Sequence, residues 1–219
     1  MTAVTDLVEV VDRLLAPEGG CVWNRAQTHA SLARYAVEES YELVDAIDSG
    51  DDSDLREELG DVLYQVVLHA GLADAAGRFD LEDVAAGVRD KMVRRHPHVF
   101  GDERADTEDE VVRVWRAAKS AEKVARTSVF DGVPRAMPPL ERAVKLLERL
   151  EERGDAATVV AATSAAAAAD GSGSEGAVDE RWGAGMLTEV AAAREVGIDV
   201  AASLRAAVSR LEAEARVGE

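Results

Sequence analysis

Five acidic residues in two short motifs are the groups whose types and spacing point most directly to chemistry. The first motif places Glu38, Glu39 and Glu42 within five positions, and the second places Glu58 and Asp61 three positions apart. Residues three apart share one face of a helix, so each motif presents a pair of carboxylates that point the same way. The pairs are Glu39 with Glu42 and Glu58 with Asp61. Facing pairs of this kind predict a cation site.

The position of Glu39 on its helix strengthens this interpretation. On a helical wheel Glu39 falls near the middle of the apolar stripe of its own helix, while Glu42 and Glu58 fall at stripe edges. A buried carboxylate without a partner either takes up a proton or destabilises the fold. We therefore expect an ion or a basic side chain to meet Glu39. Acids on a single helix are more often a solvated face, but two neighbouring helices that both carry them favour the site.

The types of ligand limit which metal ion could bind. The predicted ligands are Glu39, Glu42, Glu58 and Asp61. A set of oxygen donors suits Mg²⁺ or Mn²⁺ rather than zinc. A ferritin-like di-iron centre would need Glu-x-x-His, and neither motif supplies the histidine. Glu38 points farther from the stripe, which leaves it as a surface residue, a peripheral ligand or a general base.

Basic and aromatic side chains elsewhere in the chain suit a nucleoside phosphate. The candidate phosphate-binding cations are Lys91, Arg94, Arg95 and Lys119. Each taken alone is equally a surface counter-ion in a chain this acidic. Trp115 precedes Lys119 by four positions, so its indole shares a face with the ammonium and could stack on a base, although that spacing is also typical of a core aromatic. Trp23 allows the same two interpretations.

The elements that must position these groups are helices. Apolar residues recur at helical spacing, and no segment shows the alternation of a strand. The predicted fold class is all-α, a bundle of antiparallel helices packed on Leu and Val stripes. Asp54 is predicted to cap the helix that carries Glu58. The predicted helices cover about residues 6–15, 32–47, 55–75, 81–96, 107–123, 140–153, 186–195 and 200–215.

Composition limits the partners. The 219 residues include 43 acidic and 25 basic side chains, a formal net charge of −18, with 47% hydrophobic and only 4% aromatic residues. Such a field repels nucleic acid and anionic membranes, so we expect neither as a partner. No stretch reaches transmembrane length. Residues 1–16 lack the basic start and apolar run of a signal peptide, and Cys21 is alone, so the cytoplasm is the expected compartment.

The chain is predicted to divide in two. Residues 131–139 hold three prolines and Gly132, which places the boundary there, with domains at residues 1–135 and 136–219. Residues 156–177 are rich in Ala, Ser and Gly, and large apolar side chains are few. We expect a flexible linker over that stretch, because it buries too little surface to offset its ordering entropy. The poly-alanine run at 165–169 could be helical within it.

The acidic motifs resemble the signature of the MazG family of nucleoside triphosphate pyrophosphohydrolases, E-E-x-x-E followed after a spacer by E-x-x-D. Flanking blocks at 27–29, 56–63, 77–80 and 94–100, together with Trp115, Lys119, Glu122 and Lys123, are also similar to the family. The resemblance covers about residues 14–139. One block departs from the family pattern: Cys-Pro-Trp-Asp is replaced by Cys21-Val22-Trp23-Asn24, which puts in doubt any role of that aspartate.

The resemblance implies a MazG-like helical bundle that hydrolyses an NTP or dNTP to the monophosphate and pyrophosphate, with a role in cleaning the nucleotide pool. It also implies a homodimer. Residues 138–154 and 187–205 resemble the outer helices of a second MazG-like half, but the acidic motifs are missing there. We therefore expect the C-terminal half to be degenerate and noncatalytic.

Two other classes of protein fit the same residues. A helical regulatory protein would bind a divalent ion or nucleotide without turnover. A purely structural bundle would carry these acids as paired helix charges, and its stability would not respond to Mg²⁺.

Overall fold

A computed structural model of the chain describes residues 2–122, 128–169 and 178–216. Over these ranges the protein forms eleven helices and no strand, which confirms the all-α prediction. The chain divides into two compact units, Met1–Glu122 and Lys123–Glu219. The division precedes the proline-rich segment, because Phe130 already packs against the core of the second unit.

Seven helices of the first unit are described. They are α1 (Ala3–Leu15), α2 (Val22–Arg25), α3 (His29–Ser49), α4 (Asp52–Ala75), α5 (Leu81–Arg95), α6 (Pro97–Phe100) and α7 (Glu108–Ala121). Within the described ranges, no helix is both long enough and apolar enough to cross a membrane.

The hairpin of α3 and α4 is set by its two connecting residues. Gly50 ends α3 with φ 74°, a left-handed conformation that glycine adopts without steric cost. Asp51 caps α4, since its Oδ1 accepts hydrogen bonds from the backbone N–H of Ser53 at 2.7 Å and of Asp54 at 3.2 Å. The predicted cap at Asp54 is therefore wrong, and α4 begins earlier. The short connection makes α3 and α4 antiparallel neighbours.

The core of the first unit joins α1, α3 and α4 around Val11, Leu32, Val67 and Leu68. Gly71 lets α1 approach α4 closely. A Cβ at this position would lie 2.9 Å from Val11 Cγ1 and 3.0 Å from Leu15 Cδ1. The absence of a side chain at Gly71 therefore fixes the spacing between these two helices.

The second unit contains α8 (Pro139–Arg153), α9 (Ala156–Ala169), α10 (Glu180–Glu195) and α11 (Val200–Arg216) in its described ranges. The expected linker is wrong for its first part, because residues 156–169 form α9; its remainder falls on residues 170–177, outside the described residues. Two features explain why this segment is helical. Alanine has the highest helix propensity. Val159 and Val160 also pack against a core of Leu147, Leu150 and Val190.

Candidate metal and nucleotide site

Three of the predicted ligands converge between α3 and α4. One carboxylate oxygen each from Glu39, Glu58 and Asp61 lies within 4.8 Å of the other two. Glu39 and Glu58 are half-buried, and Asp61 is exposed. The antiparallel hairpin produces this cluster, because it sets the middle of α3 beside the first turns of α4.

Glu39 lies in a partly apolar setting. Burial is the main cause that raises its pKa, followed by the hydrogen bond with the carboxyl of Glu42 and the charge of Asp61. Gln65, one helical turn beyond Asp61 and only 7% exposed, donates from Nε2 to Glu39 Oε1 at 3.3 Å. This hydrogen bond opposes the rise, because it favours the ionised carboxylate.

Glu58 has a buried oxygen without a protein partner. Its Oε2 is enclosed, and no group in the described part of the chain donates a hydrogen bond to it. The pKa of Glu58 is raised, first by burial and then by the charges of Glu42 and Asp61. An enclosed carboxylate oxygen with unused lone pairs is a fitting ligand for a hard cation.

The charged neighbours that raise these two pKa values are all carboxylates, and within residues 2–122 no Lys or Arg forms an ion pair with Glu39, Glu58 or Asp61. Of the two partners expected for Glu39, a basic side chain is therefore not provided by the described residues. The set of oxygen donors and the enclosed Glu58 Oε2 fit a divalent cation.

The other two acids of the motifs lie at the edge of this cluster. Glu42 is exposed and its carboxyl helps to raise the pKa of Glu39, although it is not one of the three residues within 4.8 Å. Glu38 is exposed on α3. Four of the five acidic motif residues therefore belong to the cluster or lie beside it, and Glu38 is the exception.

A second group of side chains assembles on α5 and α7. The guanidinium carbon of Arg95 lies 5.5 Å from the ring centre of Trp115, and the ammonium of Lys119 lies 4.4 Å from it. Arg95 also forms an ion pair with Glu122 at 2.7 Å, and Arg94 forms one with the same residue at 3.3 Å. Two predicted cations therefore meet on the indole of Trp115, for which the sequence allowed either base stacking or core packing.

Lys91 and Trp23 complete the predicted binding residues. Lys91 is half-buried on α5, one helical turn before Arg95. Trp23 on α2 is 47% exposed and packs edge-on against Tyr35, with ring centres 5.8 Å apart at 71°. The adjacent Asn24 is buried and accepts a hydrogen bond from Tyr64 at 3.4 Å, so it has a structural contact where the family pattern has aspartate.

Sequence reasoning missed Gln65, and it named Glu122 only within the family resemblance and gave it no role. Gln65 follows Asp61 by four positions, and Glu122 follows Lys119 by three. Both spacings place the missed residue on the same helix face as a predicted one. Helical spacing could therefore have identified them.

The fold and site define a helical protein whose antiparallel α3–α4 hairpin carries a cluster of carboxylates that could hold a metal ion. Residues 27–100 match the family model described as the MazG nucleotide pyrophosphohydrolase domain. This segment contains all five acidic motif residues. The chain therefore contains a MazG domain at residues 27–100.

Relatives with recorded names agree with this assignment. The chain is 44% identical over 156 residues to the "Nucleoside triphosphate pyrophosphohydrolase" of Escherichia coli K12, covering 70% of this chain and 59% of that protein. It is 43% identical over 147 residues to the "Nucleoside triphosphate pyrophosphohydrolase/pyrophosphatase MazG" of Thermotoga maritima, covering 67% of this chain and 54% of that protein. The chain thus spans little more than half the length of these relatives.

A crystal structure of a MazG-related protein from Thermotoga maritima is also similar. It shares 28% identity and a TM-score of 0.46, covering 53% of this chain and 98% of that one.

Proposed function

We propose that the protein hydrolyses nucleoside triphosphates, NTP or dNTP, to the monophosphate and pyrophosphate in a Mg²⁺-dependent reaction. One observation carries the proposal: the convergence of Glu39, Glu58 and Asp61 within 4.8 Å, inside the segment that matches the MazG domain. The relatives from Escherichia coli and Thermotoga maritima, whose names state this activity, support it.

Glu39, Glu58 and Asp61 would hold the metal, with Glu42 beside them. A divalent ion bound there would neutralise phosphate charge and lower the pKa of a bound water. Magnesium suits these oxygen donors, and Mn²⁺ suits them nearly as well. Glu38 is exposed and directly precedes Glu39 in the sequence. It would orient the attacking water or accept its proton.

The basic residues of α5 and α7 would bind the phosphate chain. Their positive charge would stabilise the charge that develops on the departing pyrophosphate. The proposed residues are Lys91, Arg94, Arg95 and Lys119. Trp115 and exposed Trp23 are the aromatic residues available to contact the base.

The second unit would be noncatalytic, since residues 136–219 lack both acidic motifs. We place the protein in the cytoplasm as a homodimer that removes unwanted nucleotides from the pool. Sedimentation of the full chain at several concentrations tests the dimer.

A panel of NTPs and dNTPs, with phosphate and pyrophosphate measured separately, tests the activity. We expect Mg²⁺-dependent pyrophosphate release that Glu39→Gln reduces about 100-fold or more. Release of single phosphates would contradict the proposed bond cleavage. Tight binding without any release would instead support the nonhydrolytic regulatory protein.

A further inference from the structure

Glu122, the residue that follows α7, binds the two arginines at the end of α5. Its Oε2 accepts hydrogen bonds from Arg95 Nη2 at 2.7 Å and Arg95 Nε at 3.0 Å. Its Oε1 accepts one from Arg94 Nε at 3.3 Å. One carboxylate thus holds two neighbouring guanidinium groups. Glu122 directly follows α7, so these bonds also tie the end of α7 to the end of α5.

The side chains of Glu122 and Arg95 are 22% and 12% exposed, although Glu122 as a whole residue is exposed at the end of α7. Hydrogen bonding from Arg95 is the main cause that lowers the pKa of Glu122, so the carboxylate stays ionised at neutral pH. A half-enclosed, charge-assisted pair is much less screened than a surface pair. The orientation of Arg95 is therefore well defined.

The hydrogen bonds leave the outer ends of both guanidinium groups available. Glu122 contacts Arg94 only through Nε and contacts Arg95 through Nε and Nη2. Arg95 Nη1 and both Nη atoms of Arg94 have no hydrogen-bond partner within the described ranges, and the Arg94 side chain is 58% exposed. These donors remain free to meet a phosphate.

The net charge of the group also indicates that Glu122 supports phosphate binding by the two arginines and does not block it. Arg94, Arg95 and Lys119 supply three positive charges, and Glu122 removes one. The group stays positive after this pairing. Arg95 and Lys119 both lie against Trp115, so the arginine that Glu122 holds stands beside another cation on the same ring.

We propose that Glu122 is a positioning residue for the phosphate chain of the substrate, holding Arg94 and Arg95 by their inner edges so that their outer N–H groups face the ligand. This inference rests on the proposed function, and it assigns a role to a residue outside the acidic motifs. Glu122 itself need not touch the substrate.

Glu122→Gln separates positioning from net charge, because the two effects have opposite signs. Loss of a negative charge beside three cations would by itself tighten the binding of a polyphosphate. Loss of positioning weakens it, since the glutamine amide presents donors to one guanidinium. We expect KM to rise about tenfold with kcat changed much less, and Glu122→Asp to recover part of the loss.

Asp90→Asn is the matched control, because Asp90 forms an exposed ion pair with Arg89 on the same helix and acts on Arg94 through its charge, without a hydrogen bond. It should leave KM unchanged or lower it. An equal rise of KM in Asp90→Asn, or an unchanged or lower KM in Glu122→Gln, would overturn the inference. Thermal melting of each variant establishes that the fold is retained.

Calorimetric binding of inorganic tripolyphosphate separates this inference from the proposed function. If the wild-type chain releases no pyrophosphate but Glu122→Gln weakens tripolyphosphate binding about tenfold, the proposed function fails and the role of Glu122 stands. If hydrolysis occurs and Glu122→Gln binds tripolyphosphate as tightly as wild type, the role of Glu122 fails alone.

Discussion

Gln65 donates a hydrogen bond to Glu39 across the α3–α4 hairpin, from Nε2 to Oε1 at 3.3 Å. The other amide atom of Gln65, Oε1, is buried without a partner. Gln65 thus gives its one hydrogen bond in this interface to a carboxylate of the candidate site. Residues that orient a metal ligand affect metal affinity without touching the metal.

Gln65→Met is expected to raise the Mg²⁺ concentration for half-maximal pyrophosphate release about tenfold. The Gln65 N–H stabilises the ionised form of Glu39. Its removal in the variant should therefore raise the pKa of Glu39 further. Activity needs the ionised form, and the acid side of the pH profile should therefore move to higher pH. An unchanged Mg²⁺ requirement and pH profile would contradict this role.

Glu39→Gln is expected to stabilise the chain in the presence of a chelator. The pKa of Glu39 is raised in the folded protein, so the ionised carboxylate destabilises the fold as pH rises through that raised pKa. The gain in melting temperature from the substitution should be largest at pH 7 to 8. It should shrink as the pH falls through the raised pKa of Glu39 towards the ordinary value of 4.5, below which the folded and unfolded chains both hold the proton.

Added Mg²⁺ should reverse the order of stability. At 100 times its Kd, a ligand stabilises the wild type by about 2.7 kcal/mol, and Glu39→Gln should lose most of that gain. Glu38→Gln is the control, since it makes the same charge change on an exposed neighbour. A Mg²⁺ shift that survives Glu39→Gln would count against the cluster.

Sequence periodicity predicted the helices that carry the site because apolar residues recur at helical spacing along both of them. The spacing of three positions likewise indicated that Glu39 and Glu42 share one face of α3, and that Glu58 and Asp61 share one face of α4. The start of α4 was less predictable, because Asp51 and Asp54 are both capable caps and only the turn at Gly50 selects Asp51.

Composition misled the interpretation of residues 156–169. An alanine-rich stretch with few large side chains suggested a linker, but a helix of small residues packs closely once a neighbouring surface exists. That surface comes from Leu147, Leu150 and Val190, which lie on two other helices. Such long-range packing is not visible within the stretch itself.

His69 is expected to make stability depend on pH with the opposite sign to Glu39. Its pKa is lowered, first by burial and then by the charge of His29, whose Nδ1 lies 2.7 Å from His69 Nδ1. The unfolded chain therefore binds the proton more readily, and stability should fall as pH drops below 6.5. One such proton changes the folding equilibrium at most about tenfold per pH unit.

Urea unfolding between pH 7.5 and 5.5 checks this expectation. His69→Gln should lose less stability than the wild type over that interval. Equal losses in the two proteins would show that His69 does not contribute.

Gly71→Ala tests the close approach of α1 and α4. Alanine gains about 1 kcal/mol in helix propensity, but its Cβ would crowd Val11 and Leu15. Gly87→Ala is the matched control, because its Cβ would meet no atom within 4 Å. In urea unfolding, Gly71→Ala should be less stable than Gly87→Ala by about 1–3 kcal/mol. Equal gains would contradict the close packing at Gly71.

The binding of Mn²⁺, followed by electron paramagnetic resonance, tests the central claim most directly. Wild-type protein should bind Mn²⁺ in a form that excess Mg²⁺ displaces, and Glu58→Gln should weaken that binding about 100-fold. Glu57→Gln, an exposed neighbour with the same charge change, should bind as the wild type does. Equal Mn²⁺ affinity in wild type and Glu58→Gln would contradict a metal site at Glu39, Glu58 and Asp61.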